Sequence, residues 1–102
     1  MRRDEALRII RAHEAELRAM GVESVELFGS VARDEAGPES DVDVLVRFDE
    51  RTRPKGLAYF GLRERVRELI ERSIGREVDL TSVPQANGRF ARAIAEDRTF
   101  AF

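Results

Sequence analysis

The stretch "LFGSVARDEAGPESDVDVLV", residues 27–46, places a Gly-Ser pair after one apolar run and two aspartates at the start of another. The second run, "VDVLVRF" at 42–48, is rich in β-branched and aromatic residues and predicts a central strand. Side chains two positions apart on a strand point to the same face, so Asp41 and Asp43 project together. Neighbouring carboxylates repel each other unless a partner or a cation compensates their charge. The pair therefore indicates that such a partner or cation is present.

Hydrophobic periodicity predicts the elements on either side of this stretch. The predicted helices cover residues 3–20, 57–73 and about 85–96, and a short helical turn covers 30–33. The predicted strands cover residues 24–28, 42–48 and 77–81. This order is typical of an α/β or α+β domain, with a small mixed β-sheet and flanking helices. At 102 residues we expect a single domain, 1–102.

Composition excludes several classes of function. With 42% hydrophobic and 37% charged residues, the chain is typical of a soluble globular domain, and a net charge of −2 argues against extended nucleic-acid binding. It has no cysteine, which excludes disulfides and thiolate metal sites. No apolar run approaches the roughly 20 residues of a membrane span, and the N-terminal sequence lacks the apolar core of a signal peptide. We therefore expect a cytoplasmic protein that does not bind membranes.

A third aspartate extends the acidic pattern. Asp79 stands among apolar neighbours in "EVDL", in the middle of the last predicted strand. If that strand pairs beside the central one, Asp41, Asp43 and Asp79 converge at one place. Oxygen ligands of this kind are what a hard divalent ion such as Mg²⁺ prefers.

The Gly-Ser pair complements such a site. Gly29 allows the backbone to approach a ligand closely, the Ser30 hydroxyl can donate to a phosphate oxygen, and Arg33 adds a positive charge one turn later. An anion-binding turn opposite an acidic cluster is the arrangement that metal-dependent phosphoryl or nucleotidyl transfer requires.

Taken singly, each feature also fits an ordinary structural role. The Gly-Ser pair would be a simple turn, Asp41 a solvated loop residue, and Arg33 a surface arginine. Asp79 would pair with Arg72 or Arg76. The combination at this spacing is far more specific than any one member. His13, on the apolar side of the first helix, is interpreted as a packing residue rather than a catalytic base.

The run "GSVARDEAGPESDVDVLV" resembles the signature of the minimal nucleotidyltransferases (MNT) of the DNA polymerase beta superfamily, in which G-S-x-A-R-G precedes S-D-x-D and a hydrophobic strand. The later "GREVDLTSV" is similar to the strand that carries that family's third carboxylate. The similarity extends over nearly the whole chain, although the closing "EDRTFAF" matches only loosely.

The resemblance implies a polymerase-beta-like fold, ATP as donor and two Mg²⁺ ions. Gly29 and Ser30 would hold the triphosphate. Asp41 and Asp43 would bridge both ions, and Asp79 would help to hold the one that activates the acceptor hydroxyl. Members of this family are commonly antitoxins that adenylylate a tyrosine of a HEPN-family toxin, so the resemblance also implies a HEPN partner.

One position departs from the family pattern. Asp34 stands where the family most often has glycine. We expect it to place another negative charge near the phosphate-binding turn and to remove a flexible backbone point, unless the side chain turns to solvent.

Three functions remain open from the sequence. The first is an Mg²⁺-dependent adenylyltransferase that modifies a partner toxin. The second is an antitoxin that neutralises its toxin by binding alone, although the retention of three aspartates with the Gly-Ser pair favours an enzyme. The third is a nucleotidyltransferase for a small molecule, which the lack of an added substrate domain disfavours.

Overall fold

The computed structural model describes residues 1–37, 40–83 and 98–102. The helices are α1 (Arg3–Ala12), α2 (Glu14–Ala19), α3 (Gly29–Ala32) and α4 (Leu57–Ile74). The strands are β1 (Val22–Phe28), β2 (Val42–Phe48), β3 (Val78–Val83) and β4 (Thr99–Phe100). They form one mixed sheet in the order β3-β2-β1-β4, which confirms the predicted architecture. The helix predicted over 85–96 lies outside the described residues.

The directions of the strands decide where the site forms. Strand β1 runs antiparallel to β2, and β2 runs parallel to β3. The C-terminal end of β1 therefore meets the N-terminal ends of β2 and β3 at one end of the sheet. The Gly-Ser pair and the three aspartates all belong to that end.

The core lies on one face of the sheet. Leu27 is in register with Val44, and Val44 with Leu80, and all three are buried. They join a cluster with apolar residues of the helices, namely Ala6, Leu7, Ile10, Leu17, Val31, Leu62, Val66, Ile70 and Ile74. Because side chains alternate along a strand, Asp43 and Asp79 point to the opposite face.

The first predicted helix is interrupted. Its predicted span, 3–20, is divided between α1 and α2 at His13, whose φ of −105° and ψ of 14° are not helical. The His13 N–H bonds to the Ile10 carbonyl, three residues back, which tightens the end of α1. His13 itself is half-buried. In the described parts of the chain, no helix is long and apolar enough to cross a membrane.

Strand β4 was not predicted, because only two residues form it. It pairs with the edge of β1, and the side chain of Arg11 fixes the residues that follow it. The Arg11 Nε donates to the Ala101 carbonyl at 2.7 Å, and the Ala101 N–H donates to the Val25 carbonyl at 2.8 Å. These are contacts between residues far apart in the sequence, which local periodicity does not reveal.

Glu26 is a buried acid on β1 whose charge has little compensation among the described residues. It is 2% exposed, and in the described part of the chain its Oε2 has no hydrogen-bond partner. Its Oε1 lies 4.0 Å from Nη1 of the half-exposed Arg98. We expect Glu26→Met to raise the free energy of unfolding by about 1 kcal/mol or more, because water can solvate Arg98 once the acid is gone. Urea denaturation measures this, and a loss of stability would contradict the interpretation.

Candidate active site

The predicted site residues meet at the end of the sheet where β1 finishes and β2 and β3 begin. Phe28, the last residue of β1, is in register with Asp43, and Asp43 is in register with Asp79. Residues that pair across neighbouring strands share a face and lie about 5 Å apart. Asp43 and Asp79 are therefore direct neighbours, and Asp41 precedes β2 at the same end.

Asp41 and Asp79 act electrostatically on Asp43. Burial raises the pKa of the Asp43 carboxyl, and the negative charges of Asp79 and Asp41 raise it further. Arg33 acts in the opposite direction, since its positive charge lowers that pKa. Asp43 is half-buried, whereas Asp41 and Asp79 are exposed. The arrangement is thus one half-buried carboxylate with two exposed ones close enough to repel it.

A divalent cation would relieve this repulsion. Aspartate oxygens are the ligands that Mg²⁺ prefers, with water and substrate phosphates usually completing its coordination. Within residues 1–37, 40–83 and 98–102, no three His, Cys, Asp or Glu side chains are grouped tightly enough to hold a metal ion by themselves. In ligand chemistry and in charge, the three aspartates nevertheless fit Mg²⁺.

The Gly-Ser turn lies directly against Asp43. Gly29 has a φ of +72°, in the left-handed region that favours glycine. A Cβ at this position would collide with Oδ2 of Asp43 and would lie 3.2 Å from its Cγ. Both the backbone conformation and the neighbouring carboxylate therefore require glycine. Ser30 follows in α3 and is half-buried.

Asp34 has a structural partner that the sequence did not reveal. Its φ is +58°, a left-handed conformation that aspartate tolerates better than most residues. Its Oδ1 accepts a hydrogen bond of 2.6 Å from the backbone N–H of Arg3, at the start of α1. A carboxylate is favourable at a helix N-terminus. Where the resemblance implies glycine, this chain thus has a residue that adopts a left-handed conformation and stabilises α1.

This interpretation predicts a difference between two substitutions of Asp34. Asp34→Ala loses the bond to Arg3 and leaves alanine in a left-handed conformation, so we expect the free energy of unfolding to fall by about 1–2 kcal/mol. Asp34→Asn retains a side-chain oxygen and tolerates this conformation, so we expect a change within about 0.5 kcal/mol. Urea denaturation of both variants measures the difference. Equal losses would show that only the charge of Asp34 matters.

Two cavities lie near the ends of the sheet. Asp41 and Asp79 line a shallow one of about 660 Å³, together with residues at the C-terminal end of α4. The larger one, of about 1120 Å³, lies at the opposite end, between the start of β1 and the end of β2. It contains none of the predicted site residues. The smaller cavity is therefore the one that continues the candidate site.

The arginines of the smaller cavity do not form the ion pair considered for Asp79. The Arg72 Nε lies 3.4 Å from the Glu68 carbonyl, and the Arg76 Nη1 donates to the Gly37 carbonyl at 3.1 Å. Both thus bond to main-chain oxygens. The second contact, which the sequence did not reveal, reaches the loop that leads to Asp41.

Comparison with known proteins identifies the family. The family model described as a nucleotidyltransferase domain matches residues 10–100. The protein adenylyltransferase MntA of Thermococcus cleftensis is 35% identical over 95 residues, which cover 92% of this chain and 90% of the relative.

Solved structures agree with this family. A structure assigned as a minimal nucleotidyltransferase superposes with a TM-score of 0.73 at 31% identity, over 97% of this chain and 95% of that one. A complex described as a tri-AMPylated HEPN toxin of Shewanella oneidensis with its MNT antitoxin has a TM-score of 0.60 at 15% identity, over 94% and 71% of the two chains. The protein therefore belongs to the nucleotidyltransferase domain family and is a minimal nucleotidyltransferase of the MNT type.

Proposed function

We propose that this protein acts in the cytoplasm as the antitoxin of a HEPN/MNT toxin–antitoxin pair, and that it transfers AMP from ATP to a tyrosine of its HEPN partner. The observation that carries the proposal is the in-register pair of Asp43 and Asp79, with Gly29 against the Asp43 carboxylate. Paired carboxylates beside a glycine turn are suited to metal-dependent nucleotidyl transfer.

Two of the known proteins support AMP as the transferred group and a protein as the acceptor. The Thermococcus cleftensis relative is named a protein adenylyltransferase, which transfers AMP to protein. The Shewanella oneidensis complex contains a HEPN toxin that carries AMP groups and is bound to an MNT antitoxin. A protein acceptor also suits a chain of net charge −2, because that charge argues against extended binding to a polynucleotide.

The proposed reaction is an in-line displacement at the α-phosphorus of ATP. The tyrosine oxygen forms a bond to that phosphorus, and the bond from the phosphorus to the bridging oxygen of the β-phosphate breaks. Pyrophosphate leaves with the bonding electrons, and the hydroxyl proton passes to solvent. The products are AMP-tyrosine and pyrophosphate.

The residues of the site have separate roles in binding the triphosphate and the metal ions. Gly29 and Ser30 would bring the main chain and a hydroxyl to the triphosphate, and Arg33 would add positive charge, since its field already reaches Asp43. Asp41, Asp43 and Asp79 would hold two Mg²⁺ ions. Those ions, when bound, neutralise phosphate charge and lower the pKa of the acceptor hydroxyl.

The main competing function is neutralisation of the toxin by binding alone. A cell-growth assay separates the two: the HEPN partner is expressed with the wild-type protein or with Asp41→Asn. If catalysis is required, growth is rescued by the wild-type protein only, while co-purification shows that both forms bind the toxin. Rescue by Asp41→Asn would contradict a catalytic mode of neutralisation.

A further inference from the structure

Gly37 and Ser40, two described residues between α3 and β2, are joined by two hydrogen bonds. The Gly37 N–H donates to the Ser40 Oγ at 3.0 Å, and the Ser40 N–H donates back to the Gly37 carbonyl at 3.2 Å. The same carbonyl accepts the hydrogen bond of 3.1 Å from the Arg76 Nη1. Gly37, Ser40 and Arg76 therefore form one hydrogen-bonded unit, which we term the loop clamp.

The loop clamp lies directly beside a proposed metal ligand. Asp41 follows Ser40, and the next residue, Val42, donates its N–H to the Glu77 carbonyl at 2.9 Å. The main chain on both sides of Asp41 is thus held by two consecutive residues, Arg76 and Glu77. The Asp41 carboxylate is exposed, and within the described residues it makes no hydrogen bond or ion pair of its own. Its position depends on its backbone.

We propose that Arg76 is a positioning residue for Asp41, which acts through the Gly37 carbonyl and the loop clamp. This inference rests on the proposed function, because it concerns the same acidic site. The contact joins residues 39 positions apart, from the segment just before β3 to the loop before β2. Without it, the main chain beside Asp41 keeps only the bond from Val42 to Glu77, so the spacing between Asp41 and Asp79 is held less firmly.

The expected effect follows from how metal sites depend on their surroundings. Residues that orient a metal ligand without touching the metal usually change metal affinity or activity by about 10–100-fold when they are replaced. Displacement of a reacting group by about 1 Å has a comparable effect on rate. We therefore expect Arg76→Ala to weaken divalent-ion binding and AMP transfer by about 10–100-fold.

Arg72 provides a matched control. It lines the same cavity as Arg76 and carries the same charge, but its Nε faces the Glu68 carbonyl of its own helix. Arg72→Ala therefore removes equal charge near Asp41 and Asp79 without touching the loop clamp. Arg76→Lys keeps the charge and one donor that can reach the Gly37 carbonyl, so it should recover part of the loss.

The test uses Mn²⁺ as a probe for the divalent ion. Its binding to the nucleotide-free protein is followed by electron paramagnetic resonance, beside hydrogen exchange of the segment around residues 40–42 and the kcat and KM of AMP transfer. We expect weaker Mn²⁺ binding, faster exchange and a lower kcat for Arg76→Ala, with partial recovery for Arg76→Lys. Arg72→Ala should leave the exchange unchanged, and any change in its Mn²⁺ binding or kcat measures the effect of the lost charge.

Other outcomes would overturn the inference. Equal Mn²⁺ affinities of Arg76→Ala and Arg72→Ala would show that only charge matters, and a wild-type protein that binds no Mn²⁺ would exclude a metal-positioning role. A fall in unfolding free energy with unchanged Mn²⁺ affinity would mark Arg76 as purely structural. The proposed function fails differently, because the wild-type protein would then bind Mn²⁺ and still transfer no AMP.

Discussion

Asp43→Asn is expected to abolish AMP transfer and, in the absence of divalent ions, to leave the folded protein more stable than the wild type. Loss of several kcal/mol of transition-state stabilisation corresponds to a fall in kcat of about 10³-fold or more. Stability should rise because the substitution removes a half-buried charge that Asp79 and Asp41 repel. The substitution is thus expected to lower activity and to raise stability at the same time.

Two measurements check this prediction at pH 7. Thermal unfolding in EDTA should give a higher Tm for Asp43→Asn than for the wild-type protein. Added Mg²⁺ should narrow the difference, because an ion that binds only the folded wild type stabilises it. A variant that transfers AMP at the wild-type rate would remove Asp43 from the reaction. A variant less stable than wild type in EDTA would show that repulsion does not dominate at this carboxylate.

Gly29→Ala is expected to damage both the fold and the reaction. Alanine in a left-handed conformation costs about 1–2 kcal/mol, and the added Cβ would also displace the Asp43 carboxylate. Since displacement of a reacting group by about 1 Å can cost about 10²-fold in rate, we expect kcat to fall by at least about that factor. Urea denaturation and the AMP-transfer rate measure the two effects.

Gly75 is a matched control for the backbone contribution. It ends α4 with a φ of +77°, and a Cβ there would meet nothing within 4 Å. Gly75→Ala should therefore lose about 1–2 kcal/mol of stability and keep most of the AMP-transfer activity. If Gly29→Ala and Gly75→Ala lose the same stability and the same AMP-transfer rate, the contact between residue 29 and Asp43 does not contribute to the reaction.

The strands that carry the acidic residues were predictable because their patterns are local. The β-branched run at 42–48 predicted β2 with its observed bounds, which include Asp43. Asp41 precedes that strand, so the common face expected for the two aspartates stays a prediction. The sequence left the pairing of the last strand conditional. The structure supplies it, by placing β3 parallel to β2 with Asp79 beside Asp43.

Other features could not be predicted, because they depend on contacts between residues that are far apart in the sequence. β4 has only two residues and is defined by its pairing with β1. The role of Asp34 depends on the position of α1, because its side chain accepts a hydrogen bond from the Arg3 N–H at the start of that helix. The bond from Arg76, just before β3, reaches the Gly37 carbonyl in the loop before β2, and no sequence pattern indicates a side chain that bonds to a main-chain oxygen.

AMP transfer is tested most directly by the intact mass of the HEPN partner after incubation with the purified protein, ATP and Mg²⁺. We expect the partner to gain the mass of one or more AMP groups, peptide fragmentation to place them on tyrosine, and Asp43→Asn to give no gain. An unchanged partner mass in a mixture where the two proteins form a stable complex would contradict this expectation, and would assign neutralisation to binding alone.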